Sequence, residues 1–297
     1  MSAQQGDHLN KILTLPSFDS EELAASRHRE LDLPRDVAVA LARSEIEAAR
    51  QGFYVTKTGR QIAWRDAVQA ACAAKISIRP DAALPRNVRT AFTRTQVQVT
   101  NETTLGASRR LVERGLQPLA LNFANGVEPG GGFLRGARAQ EETLCRCSAL
   151  YQTLLNDPMY EEHGKRPLPH FTDWAICSPD VPVFREDDGT ELERPWLLNF
   201  ITCAAPYAPA TGLQRAGDLL RTRIHRILAI ARGYGHSVLV LGAWGCGAFA
   251  NDPLRTAIDF RHALEGDFNG AFSEVVFAIA DWSPERKFLR PFRDVFQ

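Results

Sequence analysis

Apolar and polar positions in this chain first recur with helical spacing, then settle into short apolar runs separated by helical stretches. Over residues 34–50, Val37, Leu41, Ile46 and Ala49 fall roughly on one face, which predicts a helix starting near Pro34. Residues 52–64, GFYVTKTGRQIAW, carry two short β-rich pieces around Thr58-Gly59, the pattern of a hairpin. A second helix is expected over 66–75, a loop around Pro80 and Pro85, and an alternating strand, TQVQVT, over 95–100. Strands and helices then alternate. Helices are expected at 108–114, 141–155, 218–232 and 253–264. Strands are expected at 119–125, 174–177, 196–205, 237–244 and 274–281. The 141–155 helix reads as amphipathic, with Leu144, Ser148, Tyr151 and Leu155 along one stripe. Residues 1–30 are polar with little periodicity and are expected to be partly disordered. No internal repeat is present. The alternation predicts a three-layer α/β/α architecture over 96–297, preceded by a helical and hairpin extension, 1–95, packed on it.

Composition narrows the class more than the fold. Of 297 residues, 44% are apolar and 24% charged, which excludes wholesale disorder and fibrous classes. Lys plus Arg number 35 and Asp plus Glu 35, so a protein that coats nucleic acid non-specifically is not expected. No apolar run approaches the ~20 residues of a membrane helix, and residues 1–10 lack an apolar signal core. The 6 cysteines do not read as a disulfide framework, so a cytoplasmic location is expected. Cys145 and Cys147 lie two apart on a predicted helix, about 200° around it, which is poor geometry for one metal; no metal site is expected.

Two glycine-rich loops carry the chemistry. In NFANGVEPGGGFLRGARAQEE, residues 122–142, a buried strand runs into Gly130, Gly131 and Gly132, and a helix starts near Gln140. Three consecutive glycines are entropically costly and make sense where backbone must come close to something. A strand, a glycine loop and a helix N-terminus together can cradle phosphate. The second loop, GAWGCGAFAND, follows the strand at 237–244 and ends on Asp252-Pro253, a helix N-cap and first-turn proline. Its Gly245-Cys246-Gly247-Ala248-Phe249-Ala250 fits G-x-G-x-x-A, but no acidic residue stands ~20 residues on, at the end of the next strand. A nicotinamide dehydrogenase is therefore only a runner-up. The Walker pattern is absent. Two glycine loops at strand ends point to a diphosphate gripped from two sides.

Behind the first loop stand Gln140, Glu141 and Glu142. Acids in a first helical turn are common for dipole reasons alone, yet beside a diphosphate they would be repelled unless needed for acid–base work. Three glycines, seven residues, then Gln-Glu-Glu resembles the signature of the poly(ADP-ribose) glycohydrolases in their shorter bacterial form, built on a macrodomain. The second loop is similar to that family's second diphosphate loop. The resemblance covers roughly residues 50–297. It implies a macrodomain-like fold with a central mixed sheet and an ADP-ribose cleft at the carboxyl ends of its strands. It also implies cleavage of ribose–ribose O-glycosidic bonds without a cofactor. By the same resemblance, Glu142 is the acid and base, and Glu141 holds a ribose hydroxyl. A part in the DNA-damage response, and poly(ADP-ribose), ADP-ribose and ADP-ribosylated proteins as partners of a monomer, are implied likewise.

Further site residues are expected around these. Asn125 would bond the terminal ribose, with an Asx turn as the alternative. Gly130, Gly131, Gly132 and Phe133, and Gly245, Cys246, Gly247 and Ala248, would form the diphosphate loops, and Phe249 would pack on the ribose. Thr202 would line the adenosine side, and Asp281 and Trp282 would meet the adenine, Trp282 by stacking. Release of single ADP-ribose units from the free chain end is expected, because the short apolar 242–252 loop leaves little room for the polymer to continue. Two alternatives remain: a macrodomain that binds ADP-ribose without cleaving it, and a hydrolase of another ADP-ribose linkage. A pure reader has no need of Gln-Glu-Glu.

Overall fold

The computed structural model describes residues 11–86, 92–166 and 170–297. Its strands are β1 (Lys11–Thr14), β2 (Phe53–Val55), β3 (Gln61–Ala63), β4 (Ile76–Ile78), β5 (Arg94–Thr100), β6 (Pro118–Ala124), β7 (Ala175–Arg185), β8 (Glu191–Ala204), β9 (Val238–Leu241) and β10 (Glu274–Ala278). Its helices are α1 (Glu21–Leu31), α2 (Arg35–Gln51), α3 (Arg65–Ala74), α4 (Thr104–Glu113), α5 (Gln140–Cys147), α6 (Leu150–Leu154), α7 (Pro158–Gly164), α8 (Ala208–Thr211), α9 (Leu213–Gly233), α10 (Pro253–Glu265) and α11 (Leu289–Val295). Eight strands form one mixed sheet in the order β1-β5-β10-β9-β6-β8-β7-β4, and β2 and β3 form the small hairpin. From β1 to β8 the strands run parallel; β7 and β4 turn antiparallel at one edge.

Alternate side chains of the central strands feed two cores, which is the strand period of two made three-dimensional. Leu119, Leu121, Leu239, Leu241, Val275 and Phe277 face α9, α10 and α11. Ala120, Val238, Val240, Val276 and Ala278 face the layer containing α2–α7. This is the expected three-layer architecture. Because β5, β10, β9, β6 and β8 are parallel, their carboxyl ends converge on one side. Ligand crevices of open α/β sheets lie on that side.

Several local expectations change. Residues 11–31 are ordered: β1 pairs with β5, Phe18 bridges to Thr100, and α1 is capped by Ser20. Residues 1–10 lie outside the described ones. Helix α2 turns Ala38, Ala42, Glu45 and Ala48 inward, and Val37 is exposed, so small residues allow the close packing instead of the larger apolar ones. The helix expected over 141–155 breaks at Ser148, whose backbone is extended and bridges to Val183, leaving α5 and α6. It is also not amphipathic: every residue of α5 from Glu141 to Cys147 is buried. Strands β7 and β8 form one long hairpin with a bulge between Ser178 and Val181; β7 runs well beyond the short strand expected over 174–177, and β8 starts five residues before the strand expected over 196–205. Among the described residues, no helix is long and apolar enough to cross a membrane.

Candidate active site

Strand β6 delivers the chain to the site, and Gln140 locks the returning helix against it. Its side-chain Oε1 accepts the Phe123 N–H at 2.9 Å, while Nε2 donates to Leu121 O at 2.8 Å and Thr104 Oγ1 at 3.0 Å. With both ends of this amide used, α5 starts beside the end of β6, and Glu141 and Glu142 stand at its N-terminus. Gln140 therefore positions the pair.

The two carboxyls have different surroundings. Glu141 Oε2 accepts the Asn125 N–H at 2.7 Å, and Oε1 accepts from Asn122 Nδ2 at 3.3 Å. Burial pushes its carboxyl up to about 8; the Asn125 N–H opposes this and the charge of Glu142 reinforces it. Glu142 Oε1 accepts the Gly132 N–H at 2.9 Å, whereas Oε2 is buried with no partner among the described residues. Since Oε1 is committed as an acceptor, a proton on Glu142 belongs on Oε2, the atom left free for another partner.

Two of the three glycines have amides already committed within the protein, where the expectation had them on phosphate. Gly131 N–H donates to Glu128 O and Gly132 N–H to Glu142. Gly131 has φ +58°, and a Cβ there would stand 2.5 Å from Glu142 Oε1 and 3.0 Å from Glu141 Oε2. The close approach demanded by the glycine run is to carboxylates. Phe133 is fully buried against Tyr151, with ring centroids 4.5 Å apart.

The second loop keeps its amides open. The N–H groups of Gly245, Gly247, Ala248 and Phe249 have no acceptor among the described residues. Asn251 Nδ2 donates within the loop to Gly245 O at 3.1 Å and across to Pro206 O, on the segment after β8, at 2.8 Å. Gly245, at φ +76°, would place a Cβ 2.7 Å from that same nitrogen. Phe249 packs with Ala124, Phe171 and Ala204 and lies edge-on to Tyr207 at 5.6 Å. Cys246 points away, buried near Trp244 O and Thr256 Oγ1, and burial pushes its thiol up to about 12.

These loops bound a cleft of about 320 Å³, the size of a nucleotide-scale site. Asn125, Gln140, Glu141, Glu142, Gly245, Gly247, Ala248, Phe249 and Trp282 all line it. Asn125 Oδ1 accepts the Val127 and Glu128 N–H groups, so the Asx turn is present, while the residue still faces the cleft. Trp282 is 43% exposed and stacks on His28 of α1 at 5.2 Å. Thr202 is fully buried behind Asn122 and does not reach the cleft. Asp281 is also out of it: Oδ1 takes Ser283 and Oδ2 the Phe288 and Leu289 N–H groups, so it ties down the approach to α11.

Residues not singled out in the sequence complete the walls. Thr103, Asp187 and Arg138 line the cleft with Leu31, and Thr103 Oγ1 donates to Asp187 Oδ2 at 2.6 Å. Burial pushes Asp187 up to about 6. His163 anchors the 126 turn: Nε2 accepts the Thr172 N–H, which leaves Nδ1 to donate to Gly126 O at 2.9 Å. Burial pushes His163 down to about 4, keeping it neutral. Asn122, polar within an otherwise apolar strand, was the one such signal the sequence offered.

Fold and site together define a macrodomain-like α/β/α protein with a carboxyl pair beside a nucleotide-sized cleft. Residues 42–186 match the family described as microbial-type PARG, catalytic domain. The crystal structure of poly(ADP-ribose) glycohydrolase from Thermomonospora curvata is 40% identical, covering 88% of this chain and 99% of that one, with a TM-score of 0.82. The same enzyme bound to the inhibitor ADP-HPD is 39% identical over 87% and 99%, TM-score 0.80. The Deinococcus radiodurans enzyme in complex with ADP-ribose is 40% identical over 77% and 96%, TM-score 0.71. No curated protein sequence matches the chain. The chain belongs to the microbial-type poly(ADP-ribose) glycohydrolases.

Proposed function

We propose that this protein hydrolyses the ribose–ribose O-glycosidic bonds of poly(ADP-ribose) and releases ADP-ribose, with Glu142 as general acid and then general base. The observation that carries the assignment is the unpartnered, buried Oε2 of Glu142 on the wall of the cleft. Glycoside cleavage needs a proton for the leaving oxygen and an activated water against an oxocarbenium-like centre. Protonated at Oε2, Glu142 gives its proton to the leaving 2′-oxygen as the C1″–O2′ bond breaks. Water then adds to C1″ and returns a proton to the carboxylate. Glu141, held by Asn122 and Asn125, accepts a ribose hydroxyl; the free amides of Gly245, Gly247, Ala248 and Phe249 hold the diphosphate; Phe249 packs on the ribose. Trp282 offers the adenine a stacking surface.

Every residue given a role in the reaction lies in 96–297, which supports dividing the chain into an extension, 1–95, and a catalytic domain, although Leu31 of the extension lines the cleft and β1 and β4 complete the sheet's edges. Release from the free chain end is part of the proposal. The short 242–252 loop supports it, with Phe249 packed down on Ala124, Phe171 and Ala204 and so leaving little room for the polymer to continue. The six cysteines, all unpaired, support a reducing, cytoplasmic setting, and a monomer remains part of the proposal. A part in the DNA-damage response follows from the same reading, checked by polymer accumulation in damaged cells lacking the protein. The direct test is incubation with labelled poly(ADP-ribose). Free ADP-ribose at early times supports the whole reading, free oligomers first would overturn the chain-end preference, and binding without any release would make the protein a reader.

A further inference from the structure

The proposed reaction has a second half that the cleft does not hold. Glu142 Oε2 must lie within hydrogen-bond reach of the leaving oxygen while ADP-ribose fills the cleft, so the departing nucleotide rests on protein surface beside that carboxyl. The loop over residues 126–136 borders that carboxyl, with Gly131 and Gly132 lying against Glu142. It carries Arg135 and Glu128, paired at 2.5 Å with side chains 62% and 46% exposed. It also carries two exposed apolar side chains, Val127 and Leu134. A Cβ on Gly132 would stand 3.7 Å from Glu142 Oε1 and 3.8 Å from Arg135 Nη2, so carboxylate and guanidinium flank one backbone position.

We propose that this face is a leaving-group subsite for the nucleotide unit that departs from Glu142, with Arg135 on its diphosphate and Val127 and Leu134 against its base. The proposal rests on the glycohydrolase reading. An exposed ion pair contributes little to stability, so Arg135 readily exchanges Glu128 for a phosphate and gains a fork-shaped contact. In the empty site Glu128 keeps the guanidinium extended over the loop; in the occupied one it turns to solvent. The apolar pair gives the base a surface that needs no specific hydrogen bond, as suits a face that must let its product go.

The test compares poly(ADP-ribose) with the 1″-p-nitrophenyl glycoside of ADP-ribose. Both use the same cleft and Glu142, but only the polymer has a nucleotide leaving group. Arg135→Gln is expected to lower kcat/KM on the polymer roughly tenfold, the order for one charge-assisted contact at a solvated surface. It should also flatten the salt dependence of that rate, with the nitrophenyl substrate and ADP-ribose affinity unchanged. Leu134→Ala should give a smaller loss, again on the polymer alone. Equal losses on both substrates, or none on either, would overturn the subsite. A wild-type protein that cleaves neither would instead overturn the glycohydrolase reading.

Discussion

The neighbouring glutamates differ by what their oxygens already hold. Above about pH 8, where Glu141 is ionised, both its oxygens accept protein N–H groups, so Glu141→Gln must set its new NH₂ against either Asn122 Nδ2 or the Asn125 N–H. A buried donor left without an acceptor costs ~1–3 kcal/mol, so the variant should unfold at lower urea with m unchanged. Unchanged stability would show that Glu141 is less firmly held. The Gly-Gly-Gly and Gln-Glu-Glu motifs were legible in the sequence because their spacing is specific, and the structure brings them together. What they do to each other was not legible. A glycine run reads alike whether its amides meet phosphate or carboxylate, and only the fold shows Gly132 on Glu142. Asp281 and Thr202 misled for the same reason: a polar residue near a strand's carboxyl end looks alike whether it faces a ligand or ties a loop.

Among elements, the loops now have separate tasks, and substitutions should separate them. Gly131→Val forces a Cβ onto both carboxyls at a φ that branched residues avoid. It should therefore cut turnover by more than it weakens ADP-ribose binding, measured by kcat beside calorimetry. The reverse order would restore the phosphate-cradle reading. Asn251→Ala removes the nitrogen that bonds the Gly245 carbonyl within the loop and ties the loop to the Pro206 carbonyl. Affinity for ADP-ribose should fall roughly tenfold or more, as expected for buried hydrogen bonds, and adenosine affinity should hold. Loss of both would make Asn251 a general stabiliser. Element boundaries were legible where periodicity was strong, as in β5, β6 and α10. The break between α5 and α6 was not, because Ser148 leaves the helix for a bridge to Val183, a contact far away in sequence.

Over the whole molecule, buried acids set the response to pH. Burial raises both Glu45, held by Gln152 beside Arg185, and Glu141 from 4.5 to about 8. Below 4.5 folded and unfolded chains both hold these protons. Between 4.5 and 8 only the folded chain does, so stability falls as pH rises, and above 8 the slope vanishes. Glu45→Gln should flatten that decline by several kcal/mol across the window, at ~1.4 kcal/mol per pKa unit, read from urea melts at pH 5 and 8. An unchanged decline would contradict it. The alternation of strands and helices made the three-layer core legible, whereas β1 and β4 are too short for periodicity and depend on pairing with β5 and β7. The most direct test of the account is the single-turnover rate on labelled poly(ADP-ribose) of Glu142→Gln, with ADP-ribose affinity measured on the same preparation. Gln keeps the shape and the Gly132 contact but carries no transferable proton. The rate should fall by more than the ~10²–10⁴ of ordinary acid–base catalysis, because one group serves both steps, with affinity within a few fold. A variant that binds ADP-ribose and cleaves the polymer at near wild-type rate would contradict the assignment of Glu142.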